Sequence, residues 1–128
     1  MQKLSLLGVM LSAPVAVPKP VEPSGQVIPR AEIMQTIRLP HPILAWDTAA
    51  IELHQHTDGM WMWATQASLG GNGYGYSVGP KWGNFAHSRA DALWLAADEI
   101  ERRVAKRDDS GCKGRIAAWC VKLKQEAR

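Results

Sequence analysis

The pair Asp58-Gly59 lies between two runs of alternating residues, 51–56 and 60–65, and constrains the fold more than any other feature. Asp-Gly favours a two-residue type I′ turn, because both central positions need φ > 0. Such a turn pairs Thr57 with Met60, His56 with Trp61, Gln55 with Met62 and His54 with Trp63. The pleat then sorts side chains by parity. One face is expected to hold Ile51, Leu53, Met60, Met62 and Ala64. The other is expected to hold Glu52, His54, His56, Trp61, Trp63, Thr65 and Leu69. A three-residue turn with a bulge would shift every pair by one.

Gly70-Gly71-Asn72-Gly73 ends the second strand, residues 74–78 return as a third, and Gly79-Pro80 stops it. Ser88 with Asp91 three residues later has the spacing of a capping box, in which the hydroxyl accepts the Asp91 N–H. Leu93, Ala97, Ile100 and Val104 then recur on one helical stripe, with Asp91, Asp98, Glu99 and Arg102 opposite. A turn at Asp108-Asp109-Ser110-Gly111, where Asp109 or Ser110 can cap, leads into a second helix. Its apolar stripe is Cys112, Ile116, Trp119, Cys120, Leu123 and Ala127. The expected architecture is α+β: a three-stranded antiparallel sheet packed on a capped amphipathic helix, followed by a second C-terminal helix (β-β-β-α-α). Residues 39–128 make one domain, a size at which folding buries roughly two-thirds of the unfolded surface.

Residues 1–38 read as a flexible Pro-rich tail, with prolines at 14, 18, 20, 23 and 29 and no sustained period. Residues 31–38 could form a short helix or strand, and Ile43-Leu44-Ala45-Trp46 an edge strand or a segment laid across the sheet. Lys3 and the apolar residues from Leu4 give a thin likeness to a secretion signal. Ser5, Gly8 and Ser12 dilute the run, and Pro14 sits badly for a cleavage site. No apolar run approaches the ~20 residues of a transmembrane helix, so no membrane partner is expected.

The net charge of +3 is small, but it is unevenly placed. Residues 39–80 contain no Lys or Arg, whereas residues 81–128 carry eleven against seven acids. In the first helix acids precede bases, an order that complements the helix dipole and sets up Asp98–Arg102 and Glu99–Arg103 pairs at i,i+4. The competing reading is a phosphate-binding surface made by Arg102, Arg103, Lys106, Arg107, Lys113 and Arg115. Cys112 and Cys120 lie about 12 Å apart along a helix, beyond disulfide reach. They read as buried structural thiols of a reducing, cytoplasmic compartment.

No nucleophile elbow, catalytic Ser/His/Asp order, CxxC or phosphate-cradling loop occurs, so neither an enzyme nor a cofactor is expected. Glu52, His54 and His56 alternate on one strand face, and Asp47, His41 or His87 could complete a zinc or iron site. Stacking of the two histidines on Trp63 and Trp61 competes with that use, and no metal is assigned. The expected partner-binding surface is the aromatic face of Trp61, Trp63, His54 and His56, since tryptophan is enriched in protein contacts.

The order of three strands and a helix, with Gly83-Asn84-Phe85 ahead of Ser88-Arg89-Ala90-Asp91-Ala92, resembles plant-type AP2 and integrase arm DNA-binding domains. That likeness implies sheet-mediated DNA reading. His56-Thr57-Asp58-Gly59-Met60-Trp61 with Lys81-Trp82-Gly83-Asn84-Phe85 is similar to small proteins of bacterial plasmids and integrative elements, which implies a cytoplasmic mobile-element accessory protein. The functional expectation is a non-enzymatic interaction module. It would act on a protein partner, by self-association or by interference with a host nucleic-acid-processing complex. Nucleic-acid binding through the basic helices and a His-metal enzyme are the alternatives.

Overall fold

The computed structural model describes residues 34–56, 59–69, 73–79, 82–107 and 112–127, together with Pro14 and Ala16. The remainder of the Pro-rich tail, the Asp58 half of the Asp-Gly pair, Gly70 to Asn72, and the turn from Asp108 to Gly111 lie outside the described residues.

The architecture is α+β. Strands β1 (Met34–Pro40), β2 (Asp47–Gln55) and β3 (Trp61–Ala67) form an antiparallel meander. Two-residue strands β4 (Tyr74–Gly75) and β5 (Phe85–Ala86) both pair with β3, at opposite ends of it. Helices α1 (Arg89–Ala105) and α2 (Lys113–Glu126) follow. The sheet therefore begins at Met34, ahead of the boundary expected at Leu39; of the helix and strand left open for residues 31–38, the strand is what the described residues from Met34 form. The return strand expected over 74–78 is cut to two residues. Beyond it the chain leaves β3 and rejoins it at Phe85, and the Asn84 side-chain amide donates to the Trp63 carbonyl (3.1 Å) in the gap. Gly73 makes this return possible, since a Cβ there would lie 2.5 Å from the Ala67 oxygen.

The hairpin is where expectation and structure part. Gly59 N–H donates to His56 O (2.9 Å) and His56 N–H to Met60 O (2.6 Å). Three residues thus separate the paired ends, and Gly59 adopts φ +91°. A three-residue loop ending in a left-handed glycine replaces the two-residue turn. Leu53 now faces Trp63 and His54 faces Met62. Because side chains alternate with period two, this single step moves both tryptophans to the face of Ile51 and Leu53, and sends Met62 and Ala64 to the other.

The apolar logic explains why this register wins. Ile51, Leu53, Trp63, Ala67, Leu93, Ala96, Ala97, Ile100 and Val104 form one core between the sheet and α1, joined by Ile116, Cys120 and Leu123 from α2. Burying side chains of this size stabilises by ~1.5–3 kcal/mol each, so the register that puts the indole of Trp63 inside outweighs the intrinsic preference of the turn. α1 starts as expected: Ser88 Oγ accepts the Asp91 N–H at 3.1 Å. The N-cap of α2 is Cys112, with no side-chain cap bond; Asp109 and Ser110, expected as caps, lie outside the described residues. α2 lies on the β1 side of α1, tied by Arg115 to the Pro40 carbonyl (3.0 Å) and by Lys124 to Asp98 (2.9 Å). Among the described residues no helix is long and apolar enough to cross a membrane.

Candidate interaction surface

The expected aromatic face is not assembled. Trp63 is buried under α1 at 4 % exposure, and its indole N–H points to Glu99 Oε1 (3.4 Å). Trp61 is half-buried against the same core. His54 lies on the opposite face of the sheet and is buried, while His56 sits edge-on to Phe85 at 5.8 Å. The four residues are split between two faces, and the stacking of His54 and His56 on the tryptophans does not occur. The cause is the hairpin loop, one residue longer than the turn that Asp-Gly favours.

Glu99 is likewise turned inward, although the helical period had placed it on the solvated face. Its Oε2 accepts the Thr65 hydroxyl and the Tyr76 phenol (2.6 Å), while Oε1 takes Trp63. Thr65 already donates to Glu99, so the Tyr74 phenol must donate to Thr65 Oγ1 (2.9 Å). Asn84 donates to the Tyr76 oxygen (2.8 Å). Burial raises the Tyr74 phenol to about 12, with Thr65 opposing and Glu99 reinforcing. Burial likewise pushes Tyr76 well above its ordinary value, aided by Glu99. These groups bind the helix to the sheet.

The basic residues divide in the same way. Arg102 is held by Asp98 (3.0 Å), and Arg103 pairs with Glu99 (3.5 Å) while lying 4.6 Å over the Tyr74 ring. Both i,i+4 pairs expected from sequence are present. Arg107 lies 4.9 Å over the same ring and donates to the Arg103 carbonyl. Lys113 reaches the Ala105 carbonyl at 3.5 Å, and Arg115 the Pro40 carbonyl. Lys106 projects from the exposed side of α1. Much of the positive charge is thus already neutralised or turned to structural use.

Among the described residues, the largest group of exposed apolar side chains lies elsewhere, in the β1–β2 connection. Ile43 is 88 % exposed, Trp46 57 % and Leu44 43 %. These residues neither form an edge strand nor cross the sheet; they project from its end. The projection is built by His41, whose Nδ1 accepts the N–H groups of Ile43 (3.1 Å) and Leu44 (3.0 Å). His41 N–H donates to the Trp46 carbonyl (3.4 Å), and the two rings are 6.4 Å apart. An imidazole acceptor here does the work that Asp or Ser does in side-chain-closed turns. Prolines 40 and 42 flank it. The apolar run is visible in the sequence, where His41 reads only as a potential ligand. The missing signal was that a histidine can shape a loop so that its apolar residues face out.

The same end of the molecule is basic. Leu39, Ala49, Ala67 and Tyr74 form one row across the sheet. Arg103 and Arg107 cover Tyr74 at one end of that row, and Arg115 touches Pro40 at the other. A concavity of about 210 Å³ is lined by Thr36, Arg38, Ala50, Glu52, Ala64 and Gln66, which share the sheet face away from Ile51 and Leu53, and also by Asp47, Thr65 and Tyr76. Arg38 is there paired with Asp47 (3.2 Å).

Cys120 is fully buried, and burial, reinforced by Glu101, raises its thiol to about 12, as befits a structural residue. Among the described residues no three His, Cys, Asp or Glu side chains converge as a metal site, so Glu52, His54, His56, His41, Asp47 and His87 do not form one. No protein-family model, curated protein or solved structure matches the chain.

Proposed function

We propose that this protein is a non-enzymatic interaction module that engages a protein partner through the β1–β2 loop. Ile43, Leu44 and Trp46 are the anchors. The observation that carries the reading is their exposure on a loop held in shape by His41. Exposed apolar groups of this size mark contact sites, and a preshaped loop loses little conformational entropy on binding. Tryptophan at the centre of such a group is a frequent hot spot. The contact surface is therefore the loop, in place of the tryptophan face expected from sequence.

Capture from a cell lysate with the full chain tests this, run with and without nuclease and at graded salt. A protein retained by the wild type, resistant to nuclease and lost with Ile43→Ser and Trp46→Ser is the expected result. Capture that survives both substitutions overturns the reading. Capture abolished by nuclease, with a steep salt dependence, would assign the basic residues to nucleic acid instead.

A further inference from the structure

We infer that the outer edge of β1 is a self-pairing surface through which two copies of this chain join their sheets into one. The inference stands apart from the loop, since no loop residue takes part. β1 is the terminal strand of the sheet, pairs on one side with β2, and among the described residues has no strand on its other side. It is seven residues long and mostly exposed along its length. In an antiparallel pair, alternate residues direct their backbone N–H and C=O groups away from the neighbour. β1 therefore offers an outer row of such groups, a ready template for another strand.

Composition selects the occupant. Laid antiparallel on a second copy about a twofold axis at Ile37, the strand sets Ile37 against Ile37, Thr36 against Arg38, Gln35 against Leu39 and Met34 against Pro40. Among the strand's own side chains no like charges meet; Arg89, bonded to Gln35, and Arg115, bonded to Pro40, are the cations that flank it. Pro40, which lacks an N–H, falls at the end of the ladder, where its loss costs least. Centring the axis on Arg38 would oppose two arginines. Centring it on Thr36 would set Gln35 against Ile37 and carry Leu39 past Met34, the first residue of the partner's β1. Ile37 and Leu39 are only partly buried against the core, and the Ile37 register covers both. The usual protections of an edge are few: Arg38 is already paired with Asp47, and the one irregularity comes at the last step, Leu39 to Pro40. The twofold axis would stand normal to the sheet, placing the helices of both copies on one face.

The test uses the full chain. Sedimentation across a concentration series should show a monomer–dimer equilibrium, and Ile37→Lys, which sets two ammonium groups face to face, should shift it to monomer. In a Cys112→Ser background, Ile37→Cys should form a disulfide-linked dimer under mild oxidation. Paired residues across an antiparallel seam lie ~4.5–5.5 Å apart at Cα, within disulfide reach. Gln35→Cys, whose mate is Leu39, should not cross-link. A chain that stays monomeric up to its solubility limit overturns the inference, as it would if its own N-terminal residues occupied the edge. Equal cross-linking at 35 and 37, or a dimer undisturbed by Ile37→Lys, overturns it too. Should Ile37→Lys fail to fold, the cysteine pair decides alone.

Discussion

Glu99 is the residue on which the helix–sheet contact turns. A helical carboxylate four positions before an arginine normally makes a solvated pair worth a few tenths of a kcal/mol. Here it also receives Thr65, Tyr76 and Trp63, and its side chain is 14 % exposed. Glu99→Ala leaves those donors without their acceptor, and unfolding in urea should report a loss of roughly 2–4 kcal/mol, well beyond a surface ion pair. The phenols give an independent reading. The chain has two tyrosines, so ultraviolet titration follows Tyr74 and Tyr76 alone. Both should stay protonated through pH 10, and Tyr74 should ionise near 12. Because the folded values lie above the unfolded ones, the stability they contribute is intact below pH 10 and is lost as pH rises through the folded values. Alkaline denaturation should begin in that window, and normal titration of both phenols in the folded protein would contradict the burial described.

At the scale of elements, legibility depended on whether a signal was local. Ser88 before the Leu93, Ala97, Ile100, Val104 stripe specified where α1 starts and which side it buries, because a cap and a helical period are both contained in the segment. The Asp58-Gly59 hairpin was equally plain, yet its loop length was not. One residue more than the favoured turn inverted β3 relative to β2 and dismantled the partner surface assigned to Trp61, Trp63, His54 and His56. What decided it was tertiary: a core under α1 with room for an indole. β1 escaped for the opposite reason. Residues 31–38 read as a short helix or a strand, and with a Pro-rich run before them and Pro40 behind, nothing local chose between the two or joined them to the domain. The α1–α2 contact supplies a prediction of its own. Lys124 joins Asp98 and Glu101 and lies 4.3 Å over the Trp94 ring. Burial alone would raise the Asp98 carboxyl, but Lys124 and Arg102 outweigh it and hold it below its usual value. Its stabilising contribution is present above the ordinary carboxylate range and lost as pH falls through the lowered value. Lys124→Met should cost about 1 kcal/mol near neutrality and flatten the decline of stability on acidification. An unchanged acid limb in the variant would remove Asp98–Lys124 from the account.

For the whole molecule, the question is which apolar residues serve the fold and which are left over. Ile51, Leu53, Ile100 and Ile116 are fully buried, whereas Ile43, Leu44 and Trp46 face solvent on a loop closed by backbone and imidazole bonds. Truncating a buried isoleucine to Ala should cost ~2–5 kcal/mol. The combined change Ile43→Ser, Leu44→Ser and Trp46→Ser should leave the melting temperature within the scatter of surface substitutions, about 0.5 kcal/mol each way. His41→Ala should also cost little, while loosening the loop that presents the anchors. The comparison separates two kinds of hydrophobic residue by thermal unfolding alone, before any partner is known. A loop variant as unstable as a core variant would mean that those side chains belong to the interior, and the contact surface would go with them. If the β1 edges also pair, the twofold axis sends the two loops to opposite ends of one continuous sheet. A partner with repeated sites would then meet two anchors at a fixed separation, and Ile37→Lys should weaken its apparent affinity at high surface density far more than at low density.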